Sequence, residues 1–381
     1  MCNPGSAYYV RCIRKMVAAS LIGLELSCTQ SYSPPATRGS NNFLVVDGFI
    51  NTGSDSTIFN LSNSVNLGDT TAPVPETGAQ IIVEGSGGFS SPLIELGNGR
   101  YGTAVLNIDP NQQYRVRIST SGGNQYLSDY VSVLQTPAID SISWIQQNQG
   151  VQIFVSTHDP LNLVNYYEWE FVETWEYRSY WNAELIYQNG MITGRLPSQQ
   201  VYTCWNTDNS TNILVGSSAN LNQHIIYEYP LISIPAAAVQ LSVKYSILVK
   251  QLALGPDAYN YWESLKANTE ELGSLFGPLP AEVNGNIQCL NKPGLAVLGY
   301  VSAGSLQQQR IYISNTQLNN WGYYVFCPDS LINSSVYFPK YYDQGYVPIY
   351  SVGLNSLYIT DVTCADCTKA GGITTPPAFW Q

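Results

Sequence analysis

The sequence predicts a mainly β protein: an N-terminal prealbumin- or immunoglobulin-like β-sandwich, then a second immunoglobulin-like β-domain carrying one α-helix. Three observations lead there. From Phe43 onward, short β-branched and aromatic runs alternate with Gly, Asn and Ser at the spacing of a sandwich. In Tyr114-Arg115-Val116-Arg117-Ile118, apolar residues alternate with arginines, the mark of a sheet with one buried and one wet face. The chain has 381 residues, 44% of them hydrophobic, 12% aromatic and only 11% charged, so it can fill a large core.

Within residues 43–136 the candidate strands are Phe43 to Ile50, Thr57 to Asn63, Ala79 to Glu84, Leu93 to Glu95, Gly102 to Leu106, Tyr114 to Ser119 and Tyr126 to Val133. Gly85 to Gly88 and Gly97-Asn98-Gly99 supply tight turns between them. Pro137 marks a boundary, and residues 137–381 are expected to form the second domain. Ile139 to Gln146 and Val151 to Thr157 read as its opening hairpin, with Tyr166 to Trp175 and Leu241 to Leu252 as long strands. The helix is expected over 256–272. Gly255 serves as N-cap, Pro256 occupies the first helical position, and Asp257 sits near the positive end of the dipole. Ala258, Tyr261, Trp262, Leu265, Thr269 and Leu272 share one stripe, and Gly273 is the stop. Strands resume at Ala296 to Ala303 and Arg310 to Ser314, followed by a Cys-containing, Gly/Pro-rich tail.

The N-terminus reads as an address. Arg11, Arg14 and Lys15 precede the apolar run Met16 to Leu24, far short of the roughly 20 residues a spanning helix needs. Residues 1–27 are therefore expected to be a signal peptide. Leu24-Glu25-Leu26-Ser27-Cys28 resembles a bacterial lipobox, in which the cysteine is acylated; Glu25 departs from the aliphatic residue usual there. Two or three acyl chains at Cys28, each buried methylene contributing about 0.8 kcal/mol, would hold the body on membrane lipid. Residues 28–42, with Pro34-Pro35 among Ser, Asn and Gly, read as a flexible tether. Thr29, Gln30 and Ser31 lack the acidic residues that often follow the cysteine of surface lipoproteins. The expected location is the outer membrane, lipid-anchored, at the cell surface.

After processing, Cys204, Cys289, Cys327, Cys364 and Cys367 remain, which allows at most two internal disulfides and does not say which. Cys364-Ala365-Asp366-Cys367 has no second pair at zinc-ribbon spacing and no thioredoxin-like surroundings, so a structural disulfide is the better reading than a metal site.

The charge balance, 16 Lys+Arg against 27 Asp+Glu, leaves no basic stripe for phosphates, so nucleic acid is not an expected partner. Catalytic signals are also lacking. His158 and His224 are the only histidines, no G-x-S-x-G elbow or phosphate-binding Gly loop occurs, and Thr-His158-Asp159-Pro reads as a turn. No cofactor, metal or catalytic residue is expected. The densest constellation is Tyr166 to Tyr177. As a strand it would place Glu168, Glu170, Thr174 and Glu176 on one face and Trp169, Phe171, Glu173 and Trp175 on the other. A half-buried strand with a wet, charged face explains this pattern. Glu168 and Glu170 beside Trp169 and Trp175 also make a candidate contact for a ligand or partner, and on that reading a glycan-binding module or glycosidase.

Several segments together resemble one family of Bacteroidota outer-membrane lipoproteins, catalogued as domain of unknown function 4249. They are Phe43 to Ile50, Gly78-Ala79, Gly99-Arg100-Tyr101, Tyr245 to Gln251, Ala258 to Trp262, Leu275 to Pro280, Gly285-Asn286-Ile287, Leu298-Gly299-Tyr300 and Cys364 to Thr368. Gly371-Gly372 and Pro376 to Trp380 complete the set, with Ala378 where an acidic residue is usual. The resemblance implies a non-enzymatic companion of a SusC-like TonB-dependent outer-membrane receptor, acting in ligand capture or gating. A structural subunit of another outer-membrane complex is the further alternative.

Overall fold

A computed structural model of the chain describes residues 43–65, 72–147, 150–221, 224–270, 283–353 and 355–380. Its architecture is mainly β, with a few short helices.

The first sandwich grows from period-2 alternation. Strand Gln80–Gly85 runs antiparallel between Ser90–Gly97 and Gln113–Ser119, with Val83 opposite Val116. Ile81, Val83, Val116 and Ile118 are buried on one face. On the wet face Glu84 takes Arg115 at 2.8 Å and Arg117 at 2.7 Å, which uses the two arginines that alternate with the core residues. Leu44–Gly48 pairs antiparallel with Thr57–Asn63 and adds Leu44, Val46, Phe59 and Leu61 to the core. Gly48, at φ 143°, lies so close to this partner that a Cβ there would strike the Ile58 carbonyl oxygen.

A segment from far along the chain completes this core. Ile287–Cys289 pairs with Gln125–Ser128, Val297–Leu298 lies parallel to Leu44–Gly48, and Ala303–Gly304 joins Ile50–Asn51 to Val131–Leu134. Ile287, Val297, Val301 and Ala303 are buried among the N-terminal strands. Asn286 fastens the return, donating from Nδ2 to the Val301 carbonyl at 2.9 Å and accepting from the Val301 N–H at 2.8 Å. A sequence boundary at Pro137 does not anticipate this return. The expected strand Ala296 to Ala303 is instead two short ones, because Gly299 at φ 137° breaks the extended run and turns its N–H to the Tyr261 hydroxyl.

In the second sandwich, Ile139–Gln147, Gly150–His158 and Ile225–Pro235 form one sheet. The other has the order Thr203–Asn209, Tyr166–Arg178, Lys244–Leu254, Gln307–Ser314, with Leu214–Ser217 beside the start of the long strand. Val151, Ile153 and Val155 from one sheet meet Trp169, Phe171, Tyr245, Ile247 and Val249 from the other, a sheet-on-sheet packing. The helix Pro256–Thr269 starts at Gly255 as expected and buries Ala258 and Tyr261; its expected end at residue 272 and the Gly273 stop lie outside the described residues.

The tail holds more structure than its composition announces. Asp329–Ile332, Ser356–Asp361 and Tyr346–Val352 form a separate three-stranded sheet, and Ile332, Phe338, Leu357 and Ile359 make a small core of their own. Two disulfides, Cys204–Cys367 and Cys327–Cys364, tie the tail together and to the second sandwich. Cys289 is a buried free thiol, so of the five candidate cysteines it is the one left unpaired.

Candidate functional site

The long strand Tyr166–Arg178 presents two faces. On the inner face Trp169 is 1% and Trp175 7% exposed, and neither offers a surface to a ligand. Trp169 is packed against Tyr167 and Tyr229 with ring centres 5.8 and 4.5 Å away, and its Nε1 donates to Gln251 Oε1 at 2.8 Å. The expectation that Trp169 and Trp175 contact a ligand or partner is therefore corrected. Alternation turns both toward the opposing sheet, where burial outweighs any use as a stacking platform. Glu173 joins them inside, its carboxylate accepting from the Tyr245 hydroxyl at 2.8 Å.

Glu168 and Glu170 face the other way, into a cleft shared with Asp47 and Phe49 of the first sandwich and with Lys250, Trp262 and Tyr300. Burial, with Glu170 and Asp47 adding like charge, pushes the Glu168 carboxyl up to about 8, so it holds a proton at neutral pH. Burial also raises Glu170, against which Lys250 pulls down from 3.9 Å. The cleft measures about 40 Å³. That is room for little more than a water, whereas pockets for drug-sized ligands run from roughly 300 Å³. The two carboxyls make a proton-holding seam, with the Glu170 side chain 59% exposed at its mouth. Among the described residues no group of three or more His, Cys, Asp or Glu is placed to hold a metal ion.

A second surface escaped the sequence reading. Tyr324 and Phe326 are 69% and 77% exposed, and Tyr180 reaches Tyr324 with ring centres 6.5 Å apart. Beneath them Trp181 donates from Nε1 to the Cys327 carbonyl at 3.1 Å, and its backbone N–H donates to the Cys364 carbonyl at 2.9 Å. The Cys327–Cys364 bridge thus anchors the platform on which these aromatics stand. The available signal was the run Tyr323-Tyr324-Val325-Phe326, four large apolar residues directly before a cysteine. Cys28, the candidate lipidation site, lies outside the described residues.

No curated protein matches the chain. Among solved structures it is similar to a segment of two fibronectin type-III domains from chicken tenascin, at 11% identity over 55% of this chain and 90% of that one, with a TM-score of 0.16. A mutant of Salmonella alpha-2-macroglobulin aligns at 12% identity over 60% of this chain but only 14% of that protein, with a TM-score of 0.19. Superpositions this loose transfer no property to the chain. Residues 29–310, more than half of the sequence, match the model of a family described as a domain of unknown function, DUF4249, and the chain belongs to that family.

Proposed function

We propose that this protein is a non-enzymatic, lipid-anchored lipoprotein of the Bacteroidota outer membrane, and an accessory subunit of a SusC-like TonB-dependent receptor. The observation that carries the reading is the exposed aromatic pair Tyr180 and Tyr324, with exposed Phe326 two residues on, beside a disulfide-braced base. Contiguous exposed aromatics are the material of protein interfaces. Structural disulfides belong to oxidising compartments such as the periplasm and the cell surface, in line with the lipobox-like Cys28 and its signal segment. The cleft at Glu168 and Glu170 measures only about 40 Å³, and both tryptophans of the glycan-binding alternative lie in the core.

The test is affinity purification of the tagged protein from detergent-solubilised outer membranes, with mass spectrometry of stoichiometric companions. A TonB-dependent barrel is expected, and the double variant Tyr324→Ser, Phe326→Ser is expected to lose it while retaining its own melting temperature. Recovery of a different barrel would favour the structural-subunit alternative. Recovery of the protein alone, with other envelope complexes intact, overturns the proposal.

A further inference from the structure

The linker leaving the first sandwich and the loop after strand Gly150–His158 enclose a hollow of about 460 Å³. Leu134, Pro137 and Ala138 form the linker wall, and Leu161, Leu163 and Val164 the loop wall. Size and lining match small-molecule sites, which are concave, mostly apolar, roughly 300–1,000 Å³ in volume and fitted with a few polar groups.

The loop wall is held rigidly. Leu161 and Leu163 are 73% and 76% exposed, an unfavourable placement for two leucines in succession on one loop. The buried Asp159 keeps them there, its carboxylate accepting from the N–H groups of Leu161, Leu163 and Val164 at 2.9, 2.6 and 2.8 Å. Burial pushes the Asp159 carboxyl up, but these backbone donors outweigh it and hold it below the usual range. The loop stays locked through the physiological pH range, with Asn162 at a left-handed φ of 54°.

Besides Gln135 and Thr136, the lining offers an occupant the imidazole of His158. Its Nδ1 lies 2.7 Å from Asp140 Oδ2, a contact that favours the tautomer with the proton on Nδ1 and Nε2 as the hydrogen-bond acceptor. The ionisable residues of the lining besides His158 are Asp140 and Asp159, with no Lys or Arg. Both carboxylates are already engaged, Asp140 by His158 and Asp159 by its own loop. An anionic amphiphile would meet two negative charges here.

We infer that this hollow binds a small molecule that carries no negative charge, with an apolar body and one hydrogen-bond donor, a hydroxyl or N–H, accepted by His158 Nε2. The inference does not depend on where the protein docks. It is independent of the acidic cleft as well, since the two share no lining residue.

N-phenyl-1-naphthylamine is a suitable probe, because it is neutral, apolar and carries one N–H. Its relative 8-anilinonaphthalene-1-sulfonate differs by an added anionic group. Fluorescence titration of the full chain is expected to show saturable binding of one naphthylamine per protein, with the sulfonate at least about tenfold weaker. Ala138→Trp, at an exposed position that fills the hollow, should abolish binding. His158→Phe should weaken it about fivefold, as expected for one lost hydrogen bond. Should Ala138→Trp fail to fold, Leu163→Asp puts a third carboxylate in the wall at an exposed site and should weaken binding at least about tenfold. Naphthylamine binding unchanged in a folded wall variant, or the sulfonate binding as tightly as its neutral relative, overturns the inference.

Discussion

The two sandwiches are closed by different means. The first has no disulfide and a reduced Cys289 in its core, and is completed by a non-covalent return of residues 287–304 pinned by Asn286. The second is fastened by Cys204–Cys367, which spans 163 residues, and the tail sheet beside it by Cys327–Cys364, which spans 37. The difference follows from what each has to hold. A return segment that supplies Ile287, Val297, Val301 and Ala303 brings its own burial energy. The tail has only a small core at Ile332, Phe338, Leu357 and Ile359, followed by short helical turns and Gly/Pro-rich chain around Cys367, and a covalent link removes unfolded-state entropy that so small a core cannot offset.

The sharpest test of that contrast is the double variant Cys204→Ala, Cys367→Ala. Closing so long a loop is worth about 4–5 kcal/mol in the chain-entropy model, so denaturant unfolding should show a loss of that order. Cys289→Ala should cost only about 1 kcal/mol, the loss of a small buried side chain. Equal losses in the two would break the comparison.

The non-covalent closure is tested by Asn286→Ala. It removes both side-chain bonds to Val301 and strands buried backbone groups, for an expected cost of about 2 kcal/mol. Hydrogen exchange should accelerate over 287–304 and stay unchanged over Thr203–Asn209; acceleration in both would mean that the sandwiches open as one.

The seam between them is pH-sensitive. Glu168 titrates near 8 in the folded chain and near 4.5 when unfolded, so between those values the folded state holds the extra proton. Stability contributed by this group is therefore full below about pH 4.5 and falls as pH rises towards 8. Glu168→Gln should flatten that decline and stabilise the protein by about 1 kcal/mol at pH 9, read from melting curves; an unaltered pH profile would remove Glu168 as its source.

The smallest effect belongs to the wet face of the first sandwich. Hydrogen bonds from Arg117 and Arg115 hold Glu84 below the usual carboxylate range despite its partial burial. Its contribution is present at neutral pH and is lost as pH falls below the ordinary Glu value. Glu84→Gln should cost about 0.5–1 kcal/mol at low salt and less at high salt, by thermal melts at two ionic strengths.

Much of the fold was legible because alternation is a local signal. Tyr114 to Ile118, the hairpin at 139–158 and the strand from Tyr166 all lie where period-2 burial puts them. The same alternation separated Glu168 and Glu170 from Trp169 and Trp175. It could not say which face meets solvent, and so it offered the tryptophans as ligand contacts. The tail sheet was missed because Gly and Pro mask its short strands, whose small core is completed by Phe338 and by Tyr187 and Ile192 from much earlier in the chain. His158 and Asp159 read as a turn, and Asp159 does lock a loop; the Asp140 partner of His158 sits 18 residues earlier and meets it only across a hairpin.

By itself, then, the sequence determined the β class, the helix start at Gly255-Pro256 and which side chains share a face along single strands, since each depends on neighbours a few residues apart. Tertiary structure alone decided the disulfide partners, the return of 287–304 into the first core, the proton held at Glu168 and the hollow beneath Leu161 and Leu163. Each of these joins groups distant in sequence, and their energies come from burial and electrostatic environments that exist only once the sheets have packed.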